Sequence, residues 1–121
     1  MAYEDVLTWV HNRRYIELAF EECLIRKEEQ ITVMISDLDK FKEANDTFGH
    51  ATGDKILIKF GDILTKIMPK SAVIARLGGD EFAVLLPEVS ENQAEFFNKT
   101  CSRRNDCHSI SRCLYRFLSI T

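Results

Sequence analysis

The sequence lacks the features that mark membrane, secreted and repeat proteins. Its longest apolar stretches, such as residues 83–86, fall far short of the roughly 20 residues that a membrane-spanning helix needs. No basic-then-apolar signal peptide is visible, and with only five Gly and two Pro there is no repeat or linker-like segment. Neither sign of charge dominates, and a net charge of −3 argues against general binding to nucleic acid or anionic membranes. We therefore expect a cytoplasmic globular protein.

The composition is that of one folded domain. The chain has 121 residues, of which 45% are hydrophobic and 29% charged, so it can bury a core and is not disordered. Apolar spacing and β-branched runs predict the elements in order. They are a helix over residues 12–30, a strand over 31–36, a short helix over 40–45, a loop over 47–53, a helix over 53–68, strands over 73–77 and 82–86, and a helix over 91–98. This order predicts an α+β fold, in which helices cover a sheet.

The composition changes near residue 100. Residues 1–100 carry an excess of acidic groups, whereas residues 101–121 hold four Arg, one Asp and three of the four Cys. We therefore divide the chain into a domain over residues 1–100 and an atypical Cys-, Ser- and Arg-rich tail over residues 101–121. The tail pattern leaves strand and helix open. The cysteine spacing is not a zinc pattern and no secretion signal accompanies it, so reduced thiols are expected.

Two acidic residues follow the first predicted strand. Asp37 and Asp39 stand two positions apart, so both carboxylates face one pocket if the chain turns there. Carboxylate and backbone carbonyl oxygens are the ligands that Mg²⁺ takes in proteins. Alternatively the pair caps a helix, because Asp is favoured at that position. The pattern leaves both interpretations open.

A second acidic pair, Asp80 and Glu81, follows Gly78 and Gly79 at the tip of the predicted hairpin. Glycines let a backbone come close to a ligand phosphate, although the same four residues also suit an ordinary solvated turn. If the strands that carry the two acidic pairs are neighbours in one sheet, Asp37 and Asp80 converge. Carboxylates that hold Mg²⁺ against a phosphate are what phosphoryl-transfer chemistry requires.

Polar residues between the acidic pairs offer groups that bind nucleotides. Lys42 can balance the charge of a phosphate. Asn45 and Asp54 provide an amide and a carboxylate, which together match the Watson–Crick edge of guanine. Each residue also has an ordinary interpretation: a solvated lysine, a turn-forming asparagine and a helix-capping aspartate.

Several motifs occur together along the chain. They are Asp5-x-Leu7-Thr8, Asn12-Arg13-Arg14, Asp37-x-Asp39-x-Phe41-Lys42-x-x-Asn45-Asp46-x-x-Gly49-His50-x-x-Gly53-Asp54 and Arg76-x-Gly78-Gly79-Asp80-Glu81-Phe82. In this order they resemble the GGDEF family, the diguanylate cyclase catalytic domain, over about residues 5–100. The resemblance, rather than the periodicity, implies a nucleotidyl-cyclase or palm-like sheet that is rich in antiparallel strands and flanked by helices.

The resemblance implies an enzyme that condenses two GTP molecules to cyclic di-GMP and releases two pyrophosphates. It implies a homodimer, joined through the active-site face, in which each subunit holds one GTP. Mg²⁺, or Mn²⁺ in its place, is expected on Asp37, Asp80 and the Leu38 carbonyl. Asp80 and Glu81 are the expected catalytic residues, with Glu81 either linked to the metal or acting as a general base. A regulatory or sensory domain is the further expected partner, and neither nucleic acid nor a membrane is.

The same resemblance implies how the substrate binds. Two residues, the backbone of Phe41 and the side chain of Lys42, are expected at the phosphates. Asn45 and Asp54 are expected to bind guanine. The glycines at positions 78 and 79 are expected to make room for the triphosphate.

Two short motifs depart from the family pattern. Trp9 replaces the glycine that normally follows Thr8, and we expect its ring to pack into the core rather than to crowd the base pocket. The Arg-x-x-Asp pair of the family's product-inhibition site falls on Pro69 and Ala72, which carry no charge. No feedback inhibition through that site is therefore expected.

The largest departure concerns the end of the domain. The family's C-terminal strand and helix, with the Lys and Arg that complete its phosphate site, are not recognisable after Lys99. No sensory domain is expected before the first motif, so dimerisation is expected to be weak. We expect the sheet to lose a strand and to expose an apolar edge. Four tail arginines offer replacement cations: Arg103, Arg104, Arg112 and Arg116. A catalytically silent module, which binds GTP and Mg²⁺ or only a partner domain, is the alternative to an active cyclase.

Overall fold

The computed structural model combines helices and strands and describes residues 3–26, 30–38, 41–87 and 110–119. In chain order the elements are β1 (His11–Asn12), α1 (Arg13–Ile25), β2 (Gln30–Leu38), α2 (Phe41–Phe48), α3 (His50–Ile67), β3 (Val73–Gly78), β4 (Glu81–Pro87) and β5 (Ile110–Ser119). The helices and strands predicted before residue 87 are confirmed, with their ends shifted by a few residues. The predicted helix over residues 91–98 lies outside the described residues.

The strands form one five-stranded sheet in the order β1-β3-β4-β2-β5. β2 pairs antiparallel with β4 and with β5, and β3 pairs antiparallel with β4, whereas the two-residue β1 runs parallel to β3. All five residues from 82 to 86 are buried, because both faces of β4 are covered. The arrangement confirms the α+β fold with a mainly antiparallel sheet between helices.

The main core lies between α3 and one face of the sheet. Leu57, Phe60 and Leu64 follow one another at helical spacing and are at most 2% exposed. The rings of Phe60 and Phe82 pack edge to face, with centroids 4.9 Å apart. The core therefore joins α3 to the central strand β4, which begins at the hairpin.

The helix α1 covers part of the opposite face. Asn12 caps it, since its side-chain oxygen accepts from the Tyr15 N–H at 3.0 Å. Ile16 and Cys23 are its buried residues, and they belong to a second cluster with Ile31, Ala75, Ala83 and Leu85. No helix in the described ranges is both long and apolar enough to span a bilayer.

The predicted loop over residues 47–53 is wrong, because Gly49 alone separates α2 from α3. Gly49 has a φ of +91°, a left-handed conformation that glycine adopts at little cost. Its N–H donates to the Asn45 carbonyl at 2.8 Å, and its own carbonyl accepts from the Gly53 N–H at 3.3 Å. The corner therefore keeps its backbone hydrogen bonds, and the chain turns sharply without a loop.

The expectation of an uncovered strand edge is not met at β2, because β5 of the tail lies there. β5 pairs with β2 along its length, from Gln30 opposite Ser119 to Leu38 opposite Ile110. An unpaired β2 would leave a row of backbone N–H and C=O groups at the sheet edge, and the pairing satisfies them. The register shifts between Asp37 and Leu38, so the ladder is irregular where the strand meets its acidic end.

The N-terminal turn exposes Trp9 rather than burying it. The Asp5 N–H donates to the Val10 carbonyl, and the Trp9 N–H donates to the Asp5 carbonyl, both at 2.8 Å. Trp9 has a φ of +62° and is 66% exposed, whereas its neighbours Thr8 and Val10 are buried. The expectation that the ring packs in the core is therefore wrong. Its left-handed backbone is the conformation that favours glycine, and the side chain points to solvent.

Candidate functional site

The two acidic pairs lie at the ends of neighbouring strands. Asp37 of β2 is directly opposite Glu81 of β4, and the Leu38 N–H donates to the Asp80 carbonyl oxygen at 3.4 Å. Residues in such positions have Cβ atoms about 4.5–5.5 Å apart. Asp37 and Asp80 are half-buried, and Glu81 is exposed. The strands are thus neighbours, as the predicted convergence of the acids requires.

Asp37, Asp80 and Glu81 form an acidic row where β2 ends and β4 begins. This row has the donor chemistry of a site for a hard cation. Like charges directly opposite each other on a sheet are destabilising unless a cation offsets them. The carboxylates of Asp37, Asp80 and Glu81 and the carbonyl of Leu38 are oxygen donors of the type that Mg²⁺ prefers. Within the described ranges, no group of three or more His, Cys, Asp or Glu side chains is assembled around a common point. Asp39 lies outside those ranges.

One tail arginine is aligned with this row. Arg112 of β5 occupies the register position opposite Asp37, and Arg116 occupies the one opposite Val33. Across the sheet, Glu81, Asp37 and Arg112 therefore occupy successive positions of one register. The other two tail arginines, at positions 103 and 104, lie outside the described residues, and replacement of the lost cations by the tail stays a prediction.

Gly78 and Gly79 turn the chain between β3 and β4, as the hairpin prediction requires. Their φ angles are +149° and +52°, which glycine adopts without the steric cost of a side chain. A Cβ built on either residue meets no atom within 4 Å. The turn therefore presents open backbone beside the acids, where an anionic group can come close.

Arg76 connects this glycine turn to the N-terminal turn. Its Nε and Nη2 donate to the Gly79 carbonyl oxygen at 3.0 and 2.9 Å, and its Nη1 lies 3.3 Å from Oδ1 of Asp5. Oδ2 of Asp5 accepts from the Thr8 N–H at 3.0 Å and from the Thr8 hydroxyl at 2.7 Å. Both charged side chains are only 18% exposed. The ion pair is therefore well shielded from solvent.

The charge state of Asp5 follows from these contacts. Burial is the largest single influence and raises the pKa of Asp5, but the hydrogen bonds from Thr8 and the charge and hydrogen bond of Arg76 together outweigh it. The pKa of Asp5 is therefore lower than its ordinary value of 3.8. The sequence pattern did not predict this network, because its two charged residues are 71 positions apart. The only signal was their opposite charge within two of the quoted motifs.

The nucleotide-binding candidates of α2 and α3 occupy one corner. Phe41 begins α2 and packs against the main core, and Lys42 beside it is exposed. Asn45 is half-buried against Gly53, and Asp54 is exposed in the first turns of α3. Since α2 begins just beyond the end of β2, Phe41 and Lys42 lie close in sequence to Asp37. The α2–α3 corner lies at the other end of α2.

An apolar groove of about 400 Å³ lies beside α1 on the other face of the sheet from α3. Its floor contains the cross-strand pairs Val33 with Leu85 and Ile35 with Ala83. The next pair in the same register is Asp37 with Glu81. Because side chains alternate along a strand, these acids share the face of the groove floor. The groove therefore leads to the acidic row.

Comparison with known proteins gives the family. The family described as diguanylate cyclase, GGDEF domain, matches residues 2–112. Diguanylate cyclase DosC of Escherichia coli strain K12 is 44% identical over 92 residues, which are 74% of this chain and 20% of DosC. The chain thus spans 20% of that relative's length.

Solved structures agree in fold. The GGDEF domain of TpbB (YfiN) from Pseudomonas aeruginosa is 32% identical with a TM-score of 0.75, over 95% of this chain and 73% of that one. The GGDEF domain of DgcB from Caulobacter crescentus, solved in complex with c-di-GMP, is 26% identical with a TM-score of 0.74, over 97% and 75%. With the family match over most of the chain, the resemblance is confirmed: this chain belongs to the GGDEF family of diguanylate cyclase domains.

Proposed function

We propose that the chain is a diguanylate cyclase domain, which condenses two GTP molecules to cyclic di-GMP and two pyrophosphates. The observation that carries the proposal is the acidic row, in which Asp37 lies opposite Glu81 and Leu38 is hydrogen-bonded to Asp80. Membership of the GGDEF family supports this reaction class. The protein forms few covalent bonds in such a reaction, so positioning and charge neutralisation provide most of the rate enhancement.

Mg²⁺, or Mn²⁺ in its place, is the proposed metal, held by Asp37, Asp80 and the Leu38 carbonyl. A bound cation neutralises charge at the α-phosphate as the new bond forms. The mutual repulsion of carboxylates at opposite register positions supports a cation there, since it offsets their charge. Glu81 is exposed beside them and is the proposed acceptor of the proton from the attacking 3′-hydroxyl.

The binding of the triphosphate is proposed for the residues around the glycine turn and the start of α2. Lys42 is exposed and supplies a positive charge, and the backbone of Phe41 supplies a donor. The open side of Gly78 and Gly79 leaves space for the phosphates. These groups fix the α-phosphate near the acids rather than react with it.

Recognition of guanine is proposed for Asn45 and Asp54 at the α2–α3 corner. Guanine presents two N–H donors and one carbonyl acceptor on its Watson–Crick edge. A carboxylate accepts from the donors, and the amide of Asn45 donates to the carbonyl. The exposure of Asp54 and the partial burial of Asn45 support this division, because a shallow corner can hold the base edge.

A homodimer is proposed for the reaction, because one site holds one GTP and the product joins two. The active-site faces of two copies then meet, in the cytoplasm where GTP is available, and a regulatory or sensory domain is the proposed further partner. No product inhibition is expected at residues 69–72. There the Ala72 N–H donates to the Pro69 carbonyl at 3.0 Å, and neither residue carries a charge for a cyclic dinucleotide.

A silent GGDEF module is the second candidate. The chain matches 73% of the solved TpbB chain, which comprises only the GGDEF domain, so part of that domain has no counterpart in the match. A module of this kind still binds GTP and the metal, or only a partner domain, without turnover.

The first experiment incubates the purified chain with GTP and Mg²⁺ and detects cyclic di-GMP by mass. Asp80→Asn keeps the side-chain shape but removes the charge, and we expect it to abolish the product. Asp62→Asn is the matched control, because Asp62 is an exposed carboxylate of α3 outside the site. We expect it to retain full activity, and we expect the rate per molecule to rise with protein concentration as dimers form.

The outcomes separate the two candidates. Product from the wild type and from Asp62→Asn, but not from Asp80→Asn, supports the cyclase. No product at high protein concentration, with a melting temperature that GTP still raises, supports the silent module, since binding to the folded state alone increases its stability. A result with neither product nor stabilisation overturns the cyclase and the GTP-binding form of the silent module, and leaves only a module that binds a partner domain.

A further inference from the structure

The Asn45 amide packs against Gly53. This glycine is buried in the first turns of α3, beneath the Gly49 corner. A Cβ built on Gly53 collides with Oδ1 of Asn45 and lies 2.8 Å from its Cγ and 3.3 Å from its Nδ2. At such distances one partner must shift, and here the atoms met are the far end of the Asn45 side chain, which can move. Any residue other than glycine at position 53 therefore displaces the amide.

A second buried glycine of the same helix shows that this closeness is specific. A Cβ built on Gly61 lies 3.4 Å from Cγ1 of Val10 and 3.5 Å from Cβ of Thr8, which are ordinary van der Waals distances. Neither Gly53 nor Gly61 has a positive φ, so neither backbone conformation requires glycine. Alanine is a better helix former than glycine, so only the Asn45 contact opposes it at position 53.

The orientation of the Asn45 amide follows from the same contact. Its Oδ1 is buried and has no hydrogen-bond partner among the residues that the structure describes. With the oxygen held against Gly53, the NH₂ group is the end of the amide left for a ligand. An NH₂ group donates, so it complements the carbonyl at position 6 of guanine and opposes the amino group at position 6 of adenine.

We propose that Gly53 is a positioning residue for base selection: its missing side chain seats the Asn45 amide with the oxygen inward and the NH₂ group toward the base, which selects guanine over adenine. The inference rests on the proposed binding of GTP and adds the residue that sets its specificity. Gly53 itself touches no substrate, and its effect passes through Asn45.

The contact is tested first without nucleotide, by thermal unfolding. We expect Gly61→Ala to leave the melting temperature unchanged or raise it, and Gly53→Ala to give a lower melting temperature than Gly61→Ala, because the displaced Asn45 amide offsets the gain from the better helix former. In an Asn45→Ala background the amide that the new Cβ meets is absent. Gly53→Ala is therefore expected to change the melting temperature there as Gly61→Ala does. Equal effects of Gly53→Ala in both backgrounds would overturn the contact, because coupled residues are not additive.

Base selection is tested by the rise in melting temperature with GTP and with ATP, each with Mg²⁺, from which the two dissociation constants follow. We expect the wild type and Gly61→Ala to prefer GTP, and Gly53→Ala to lose about tenfold of that preference, the value of one hydrogen bond. A merely structural effect weakens the binding of GTP and ATP alike and leaves the ratio of their dissociation constants unchanged.

The two proposals fail in different ways. If the wild type prefers GTP and Gly53→Ala keeps the whole preference, the role of Gly53 is overturned and the proposed function stands. If the wild type binds neither nucleotide, the proposed function and the selection of guanine are both overturned, whatever the unfolding results.

Discussion

The ion pair between Asp5 and Arg76 holds the side chain that is hydrogen-bonded to the glycine turn. Asp5→Ala removes the carboxylate that accepts from Arg76 and, twice, from Thr8. Hydrogen bonds to charged groups contribute about 1.5–3 kcal/mol each, but they share one carboxylate and do not add fully. With side chains only 18% exposed, the pair is not discounted as a surface pair is. We expect Asp5→Ala to lower the free energy of unfolding by about 2–4 kcal/mol.

This loss is measured by urea denaturation, monitored by circular dichroism. The proteins compared are the wild type, Asp5→Ala, Arg76→Ala and the double variant. The double variant is expected to lose less than the sum of the single ones, because the two residues share one interaction. Glu22→Ala is the matched control. Its carboxylate lies 3.7 Å from Arg26 with both side chains more than half exposed, so its removal is expected to cost less than about 0.5 kcal/mol.

The same pair predicts a dependence on pH. The pKa of Asp5 is lower in the folded chain than its ordinary value, so the folded state holds the ionised form more strongly than the unfolded state does. This stabilisation is present above the unfolded pKa, about 3.9, and is lost as the pH falls through the folded value. The difference in the free energy of unfolding between the wild type and Asp5→Ala is therefore expected to become smaller at acid pH. An equal difference at neutral and acid pH, or additive single variants, would refute the reasoning.

Three further predictions concern other parts of the chain. Trp9→Gly is expected to raise the free energy of unfolding by about 1 kcal/mol, because glycine has no steric penalty at a φ of +62°, and a lower urea midpoint would contradict this. Asp37→Asn is expected to abolish product formation yet raise the melting temperature in the absence of metal, since it removes the repulsion with Glu81; a lowered melting temperature would count against that repulsion. A chain that ends before residue 110 leaves β2 with an unpaired edge, and light scattering is expected to show self-association, whereas a stable monomer would oppose it.

Periodicity predicted the parts of the fold that local patterns determine. The spacing of Leu57, Phe60 and Leu64 marked α3, and the paired glycines marked the hairpin. The loop prediction failed at Gly49, because a single left-handed glycine turns the chain while the backbone hydrogen bonds continue on both sides. A polar, glycine-containing stretch looks like a loop in sequence whether or not these bonds form.

The remaining differences arise from contacts between distant parts of the chain. The position of β5 depends on the free edge of β2, which no property of residues 110–119 reveals. The exposure of Trp9 depends on the backbone conformation of its turn, and an aromatic residue alone suggests burial. For the candidate site, the convergence of Asp37 and Asp80 was expected on the condition that their strands are neighbours, and β2 and β4 do pair. The contact of Asn45 with Gly53 could not be predicted, because it depends on how α2 packs against the first turns of α3.

The position of β5 at the edge of the sheet has a consequence for synthesis. β3 and β4 are joined by a tight hairpin and can pair as soon as they are made, whereas β2 and β5 are about 70 residues apart in sequence. A ribosome adds about 5–20 residues per second, so one edge of β2 waits several seconds for its partner. During that interval the nascent chain exposes an apolar strand edge. The order of translation, rather than the finished fold, therefore sets how long this strand edge stays unpaired.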